Sequence, residues 1–266
     1  MTVLEQLAVV AAFSVALMTA LWFVQRRTGD AGIVDVGWSY ALAASAVFAG
    51  VTGEGLMSQR ILIAVLIGVW GLRLGTHILT DRVLSDGEDG RYADLRERFG
   101  AEKIQRVLFI FYQVQAGFVI ALCVPFLLAA SNTEPLGVLQ YTGLGLFVVA
   151  KIGESIADMQ LKRFKRRPDS KGKTCRVGLW RYSRHPNYFF EWLMWCAYAL
   201  IAFNAPYGWI GLFAPLFMLL LITKVTGIPP TEKRALRSRG EDYRRYQRTT
   251  SPFIPWFPKA DPEAEP

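Results

Sequence analysis

Seven apolar stretches, near residues 3–24, 34–51, 61–79, 107–129, 139–156, 187–203 and 207–223, dictate what this chain can fold into. Each is close to the roughly 20 residues that an α-helix needs to cross about 30 Å of hydrocarbon. Inside lipid no water satisfies backbone N–H and C=O groups, so such a segment must be helical. The expectation is an all-α integral membrane protein, a seven-transmembrane-helix bundle.

Composition fits that frame once position is considered. Apolar residues make up 52% of the chain and mean hydropathy is +0.25, yet the net charge is +8. The charges lie between the apolar stretches. With the N-terminus outside, the inward segments are 25–33, 80–106, 157–186 and everything after 223. Of 30 Lys and Arg residues, only Arg60 falls in an outward loop, Arg73 and Lys151 sit inside apolar stretches, and the remaining 27 face inward. The positive-inside rule therefore sets the N-terminus out and the C-terminus in.

Residues 1–258 read as one seven-helix membrane domain with cytoplasmic loops, followed by a compositionally disordered tail, 259–266. Within 80–106, Asp86, Glu88, Asp89, Arg91, Arg96 and Arg98 suggest a short amphipathic cytoplasmic helix. The N-terminus has neither a basic n-region nor a small-residue cleavage site, so no removable signal peptide is expected. Cys123, Cys175 and Cys196 give neither a disulfide framework nor metal-ligand spacing, and only two histidines are present, so no metal site is expected. No Gly-x-Gly-x-x-Gly after a strand and no Walker loop occurs, so a nucleotide must be held by the bundle itself. No nucleic-acid partner is expected; the partners are the bilayer and a small apolar, lipid-like substrate.

Ionisable or amide groups within apolar stretches are costly and mark candidate sites. Here they are Asp35, Arg73, His77, Gln113, Gln115, Lys151, Glu154, Asn187 and Glu191. The segment Arg181-Tyr-Ser-Arg184-His185-Pro186-Asn187-Tyr188 is the most informative. Pro186 suits a first helical position, where its missing N–H removes nothing. The helix then starts at the inner face with its positive dipole end surrounded by Arg176, Arg181, Arg184 and His185, an arrangement suited to an anion. Asn187, Glu191 and Trp195 follow at i, i+4 and i+8 on one stripe, placed to read a ribose, a carboxamide and a ring. Arg181 and Arg184 have a plainer reading as anchors to lipid headgroups.

Other residues divide between two readings. Asp158 forms an i, i+4 ion pair with Lys162 or belongs to the site. Asp35 bridges to Arg73 or serves a substrate carbonyl as a hydrogen-bond partner or proton donor, and His77 lies one turn beyond Arg73. Tyr243 and Tyr246 cover a cofactor or sit at headgroup level.

The run Gly178-Leu179-Trp180-Arg181-Tyr182-Ser183-Arg184-His185-Pro186-Asn187-Tyr188, with Glu191 and Trp195, resembles the C-terminal signature of steroid 5-alpha-reductase-like membrane proteins. Gly240-Glu241-Asp242-Tyr243 to Phe253-Ile254-Pro255 is similar to the end of that domain. With Asp35-Val-Gly-Trp38 and Glu88-Asp89-Gly-Arg91-Tyr92, the likeness is to its uncharacterised bacterial branch, the domain of unknown function 1295. It spans roughly 30–258 and is strongest at 174–200 and 223–257. The resemblance implies a seven-helix bundle of a bacterial inner membrane with NADPH entering from the cytoplasmic side. It implies that Asn187 and Glu191 contact the nicotinamide half, with Trp195 on the same face, and that Asp158 and Arg166 lie near the adenosine and phosphate portions. Arg181, Arg184, His185, Tyr188 and Tyr246 complete the expected cofactor site. The implied reaction is reduction of a carbon-carbon double bond conjugated to a carbonyl, in a lipid or steroid-like substrate, with Asp35, Arg73 and His77 at the carbonyl end.

The chain departs from steroid reductases at that end. It offers Asp35 for their helix-two glutamate, no tyrosine in the third stretch, and Glu232 and Leu236 where they place histidine and tyrosine. Two alternatives remain: an S-adenosylmethionine-dependent membrane methyltransferase of the isoprenylcysteine or phospholipid type, which shares the Arg-His-Pro-x-Tyr helix start and an acidic tail residue, and a non-catalytic lipid-binding membrane protein.

Overall fold

The computed structural model describes residues 1–84 and 90–261. Asp86, Glu88 and Asp89, and the tail beyond Asp261, lie outside the described residues. Helices dominate, and among the described residues the one β-type pairing is an isolated bridge between Ser183 and Ser251. Contacts gather into two compact units, Met1–Gln140 with Tyr198–Ala214, and Tyr141–Ala197 with Pro215–Pro266. Where a single domain over 1–258 is expected, no linker marks the division; each boundary falls inside a helix.

The first unit is built on α1 (Val3–Thr28), α2 (Ile33–Thr52), α3 (Met57–Ile78), α4 (Gly90–Leu122) and α5 (Val124–Ala130). Thr2 and Glu5 form a reciprocal capping box that starts α1, and Gly29 ends it in the left-handed conformation at φ 80°. Small residues bring α2 and α3 together: a Cβ on Gly71 would lie 2.7 Å from the Ser39 carbonyl oxygen and 2.8 Å from the Ala43 Cβ. Arg60, the outward basic residue, donates to the Gly50 and Val51 carbonyls and so satisfies the open end of α2. The long α4 kinks at Gly100 (φ 67°), which separates a charged first part from the apolar run beyond it. Gln113 turns to α1, donating to Thr19 Oγ1 at 3.1 Å. The fourth apolar stretch is therefore two helices, because the chain breaks at Cys123 and restarts with Pro125 in the first turn of α5.

The close approach of α2 and α3 has a measurable consequence. Gly71→Val must push the Ser39 backbone away and should lower unfolding stability by roughly 1–3 kcal/mol. Gly117→Ala, where nothing lies within 4 Å of the added carbon, should be neutral or mildly stabilising. Thermal unfolding of the two variants in one detergent measures the contrast; equal melting temperatures would remove the packing argument.

The second unit contains most of α6 (Val138–Lys165), most of α7 (Pro186–Ala202), the last residues of α8 (Phe213–Leu220), α9 (Ile228–Arg239) and α10 (Glu241–Thr249). α6 outlasts the fifth apolar stretch by nine residues, because Lys162, Arg163 and Lys165 suit the negative end of the helix dipole. α7 begins at Pro186, as the sequence suggests. After α8 one π-helical turn, Leu221–Val225, leads to Pro229 and Pro230 in the first turn of α9.

Five helical segments are long and apolar enough to cross a membrane: Val3–Thr28, Ile33–Thr52, Met57–Asp81, Gly90–Ala130 and Gly208–Arg239. This is the architecture of a multi-pass membrane protein. The two other expected spans are helices as well. α7 has only 17 residues, and α6 carries Lys151 and Glu154, which pair with each other in its buried part.

Candidate functional site

The polar residues of the second unit collect at the start of α7. A 3-10 turn, Gly178–Arg181, precedes it and is tied to α6 by two hydrogen bonds: Trp180 Nε1 donates to Ala157 O at 2.9 Å, and Leu179 N to Gln160 Oε1 at 2.9 Å. Gly178 has φ 57°, and a Cβ there would overlap the Gln160 amide, so that turn requires glycine. The Ser183 hydroxyl accepts from His185 N and donates to Phe253 O, fixing the residues that lead into the helix.

Glu232 of α9 is the hub of this region. Its Oε1 accepts from Arg184 Nε at 2.7 Å and Tyr243 Oη at 3.3 Å and lies 3.2 Å from His185 Nε2; its Oε2 accepts from Gln247 Nε2 at 2.7 Å. Arg184 also donates Nη1 to the carbonyls of Gln247 and Thr250, both at 2.8 Å. The Arg184 side chain is only 10% exposed. The sequence suggests a headgroup anchor or a ligand for an incoming anion at this position. Its charge is spent on Glu232 and on carbonyls around the end of α10. Tyr188 stacks on His185, with ring centres 5.4 Å apart and 6° between planes, and its hydroxyl lies 3.2 Å from Thr231 Oγ1.

Next to this hub runs the stripe of Asn187, Glu191 and Trp195. Asn187 Nδ2 donates to Asp158 Oδ1 of α6 at 3.2 Å, and Asn187 Oδ1 accepts from Tyr188 N at 3.0 Å. Trp195 is fully buried and donates Nε1 to Glu191 Oε1 at 3.1 Å, one turn back along α7. Asp158, Asn187 and Glu191 remain partly exposed, so an amide and two carboxylates are accessible above a buried indole.

The remaining expected residues are placed differently. Tyr246 is 1% exposed and donates its hydroxyl to the carbonyls of Trp180 and Ser183; it is an internal pin rather than a cover. Arg166 is exposed just beyond α6, and Arg181 is exposed on the wall of a basic cavity with Arg176 and Arg245. Arg176 is drawn to Asp242, whose Oδ1 accepts from its Nη2 at 3.0 Å. In the first unit, Asp35 is held by Arg91 and by Tyr92 of α4, the phenol at 3.2 Å, instead of by Arg73. Arg73 is exposed on α3. His77 Nδ1 lies 3.3 Å from Asp81 Oδ2, one turn on, with both side chains about half exposed. Among the described residues no group of three or more His, Cys, Asp or Glu is arranged to hold a metal.

Burial lowers the His185 pKa below its ordinary 6.5, against the opposing pull of the Glu232 carboxylate. A histidine kept neutral in the fold contributes stability that is present above the unfolded value and lost as pH falls. The protein should melt at a lower temperature at pH 5.5 than at pH 7.5, and His185→Asn should shrink that difference. An unchanged pH dependence in the variant would show that other groups carry it.

The model of the family described as protein of unknown function (DUF1295) matches residues 21–250, so the chain belongs to that family. No curated protein and no solved structure matches it.

Proposed function

We propose that this member of the DUF1295 family is a membrane-embedded NADPH-dependent reductase of a double bond conjugated to a carbonyl in a lipid or steroid-like substrate. One observation carries the reading: two hydrogen-bonded pairs, Asp158–Asn187 and Glu191–Trp195, which set partly exposed polar groups at successive turns of α7. The residues fit a nicotinamide nucleotide. An amide and a carboxylate on one face match a carboxamide and a ribose, and the two turns between Asn187 and Trp195 give the length of the mononucleotide half. When bound, NADPH supplies a hydride to the β-carbon of the conjugated system. Asn187 and Glu191 hold and orient the nicotinamide half, Asp158 fixes Asn187, and Trp195 fixes Glu191. The Glu232 network sets the start of α7 and so the height of the stripe.

In the same proposal the chain crosses a bacterial inner membrane seven times, N-terminus out and C-terminus in, with α6 and α7 as the two polar spans. The distribution of 27 inward basic residues supports it. Within the first unit, Asp35, Arg73 and His77 stay the candidate catalytic residues, and Arg91 and Tyr92 meet Asp35 there.

A second reading, methyl transfer from S-adenosylmethionine, is favoured by Glu232 itself, an acid at the tail position that those enzymes use. The test is a panel of conjugated enone and enoyl lipids supplied to the purified protein in nanodiscs. The reductase reading expects NADPH consumption with a product saturated at the carbon-carbon bond and little turnover in Glu191→Ala. Methylated product from S-adenosylmethionine, with no NADPH consumed across the panel, would sink it.

A further inference from the structure

Apart from the Asn187 stripe, the second unit contains a cavity of about 420 Å³ whose wall includes Arg176, Arg181, Arg245, Lys259 and Asp261. We propose that this cavity binds a phosphate monoester and that the Asp261 carboxylate occupies it in the absence of ligand. Four cations face one carboxylate on this wall, an excess of positive charge that suits a dianion. Asp261 belongs to a charged and proline-rich tail, yet its side chain is only 8% exposed. Its Oδ2 lies 2.6 Å from Arg245 Nε and its Oδ1 3.7 Å from Arg248 Nε, a carboxylate received by guanidinium groups that recognise phosphate oxygens in the same way.

Two further features point to a ligand. Arg176, which lines the cavity, keeps its Nε buried without a hydrogen-bond acceptor while its Nη2 is engaged by Asp242. The segment that carries Asp261 is tied back by backbone hydrogen bonds from Trp256 N to Tyr182 O at 2.9 Å and from Lys259 N to Thr249 O at 2.8 Å. Asp261 itself is held there by ion pairs to Arg245 and Arg248, contacts that a more highly charged phosphate can take over. The cavity also exceeds a phosphate group, leaving room for part of the molecule that bears it. The site does not depend on which cofactor the Asn187 stripe takes.

The test uses the full-length protein in phosphatidylcholine nanodiscs and titrates adenosine 2′,5′-bisphosphate, with adenosine as the uncharged control. A second arm replaces the soluble probe with phosphatidic acid in the nanodisc. Hydrogen exchange of the Lys259 amide reads displacement of the tail. Saturable binding with faster exchange is expected, tightened about fivefold in Asp261→Asn and weakened about tenfold in Arg181→Ala and Arg245→Ala. Faster exchange with phosphatidic acid alone supports the site and names a lipid headgroup as its ligand. If neither probe alters exchange, or Asp261→Asn leaves the affinity unchanged, the proposal is wrong. None of these readouts requires NADPH turnover, so failure here and failure of the reductase reading are separable.

Discussion

Glu232→Ala is expected to destabilise the second unit by roughly 3–5 kcal/mol, the range for removing one partner of a buried ion pair. The side chains of Glu232 and Arg184 are 14% and 10% exposed, so solvent cannot take the carboxylate's place. Arg184 would be left with two carbonyl acceptors and an uncompensated charge, and Tyr243, Gln247 and His185 would each lose an acceptor or neighbour. Glu232→Gln keeps the shape but not the charge and should fall between the alanine variant and the parent. Arg184→Met combined with Glu232→Leu removes both charges and should recover much of the loss. Thermal unfolding of this set in one detergent measures the pair. Strictly additive losses in the double variant would mean that the two side chains are not coupled.

The second large effect is on cofactor affinity. Asn187→Ala removes the Nδ2 donor from Asp158 and the Oδ1 acceptor from Tyr188 N, both at a partly exposed position. Stability should change by less than about 1.5 kcal/mol, because solvent reaches the vacated groups. NADPH affinity should fall up to about tenfold, since a hydrogen bond to bound ligand is worth about 0.5–1.5 kcal/mol. Asn187→Asp should lose more, because it sets a second carboxylate against Asp158. A pair of variants that bind NADPH like the parent would dismiss the stripe as a cofactor contact.

Much of the fold could be read from hydropathy and helix punctuation alone. The apolar stretches become helices, and Pro186 starts α7 where its chemistry allows. The break at Cys123 and the π-helical turn at Leu221–Val225 were not legible, because neither interrupts the apolar run. The stripe was legible, since Asn187, Glu191 and Trp195 need only helical spacing to share a face. Charge pairing was not. Arg184 meets Glu232 across 48 residues, Asp35 meets Arg91 across 56, and nothing local specifies either partner. Counting arginines therefore overstated the charge available for an anion at the mouth of α7. One signal was present: Glu232 is the sole acid within α9, among Lys233, Arg234, Arg237 and Arg239. An isolated acid on a basic helix is a candidate hub.

The central claim is that the α7 stripe holds a nicotinamide nucleotide. The direct measurement is a calorimetric titration of NADPH, and separately of S-adenosylmethionine, into the purified protein in phosphatidylcholine nanodiscs, alongside Asn187→Ala. Saturable one-site binding of NADPH, weakened up to about tenfold in the variant and not matched by S-adenosylmethionine, is the expected result. Tighter binding of S-adenosylmethionine, or no heat from either ligand, would contradict it.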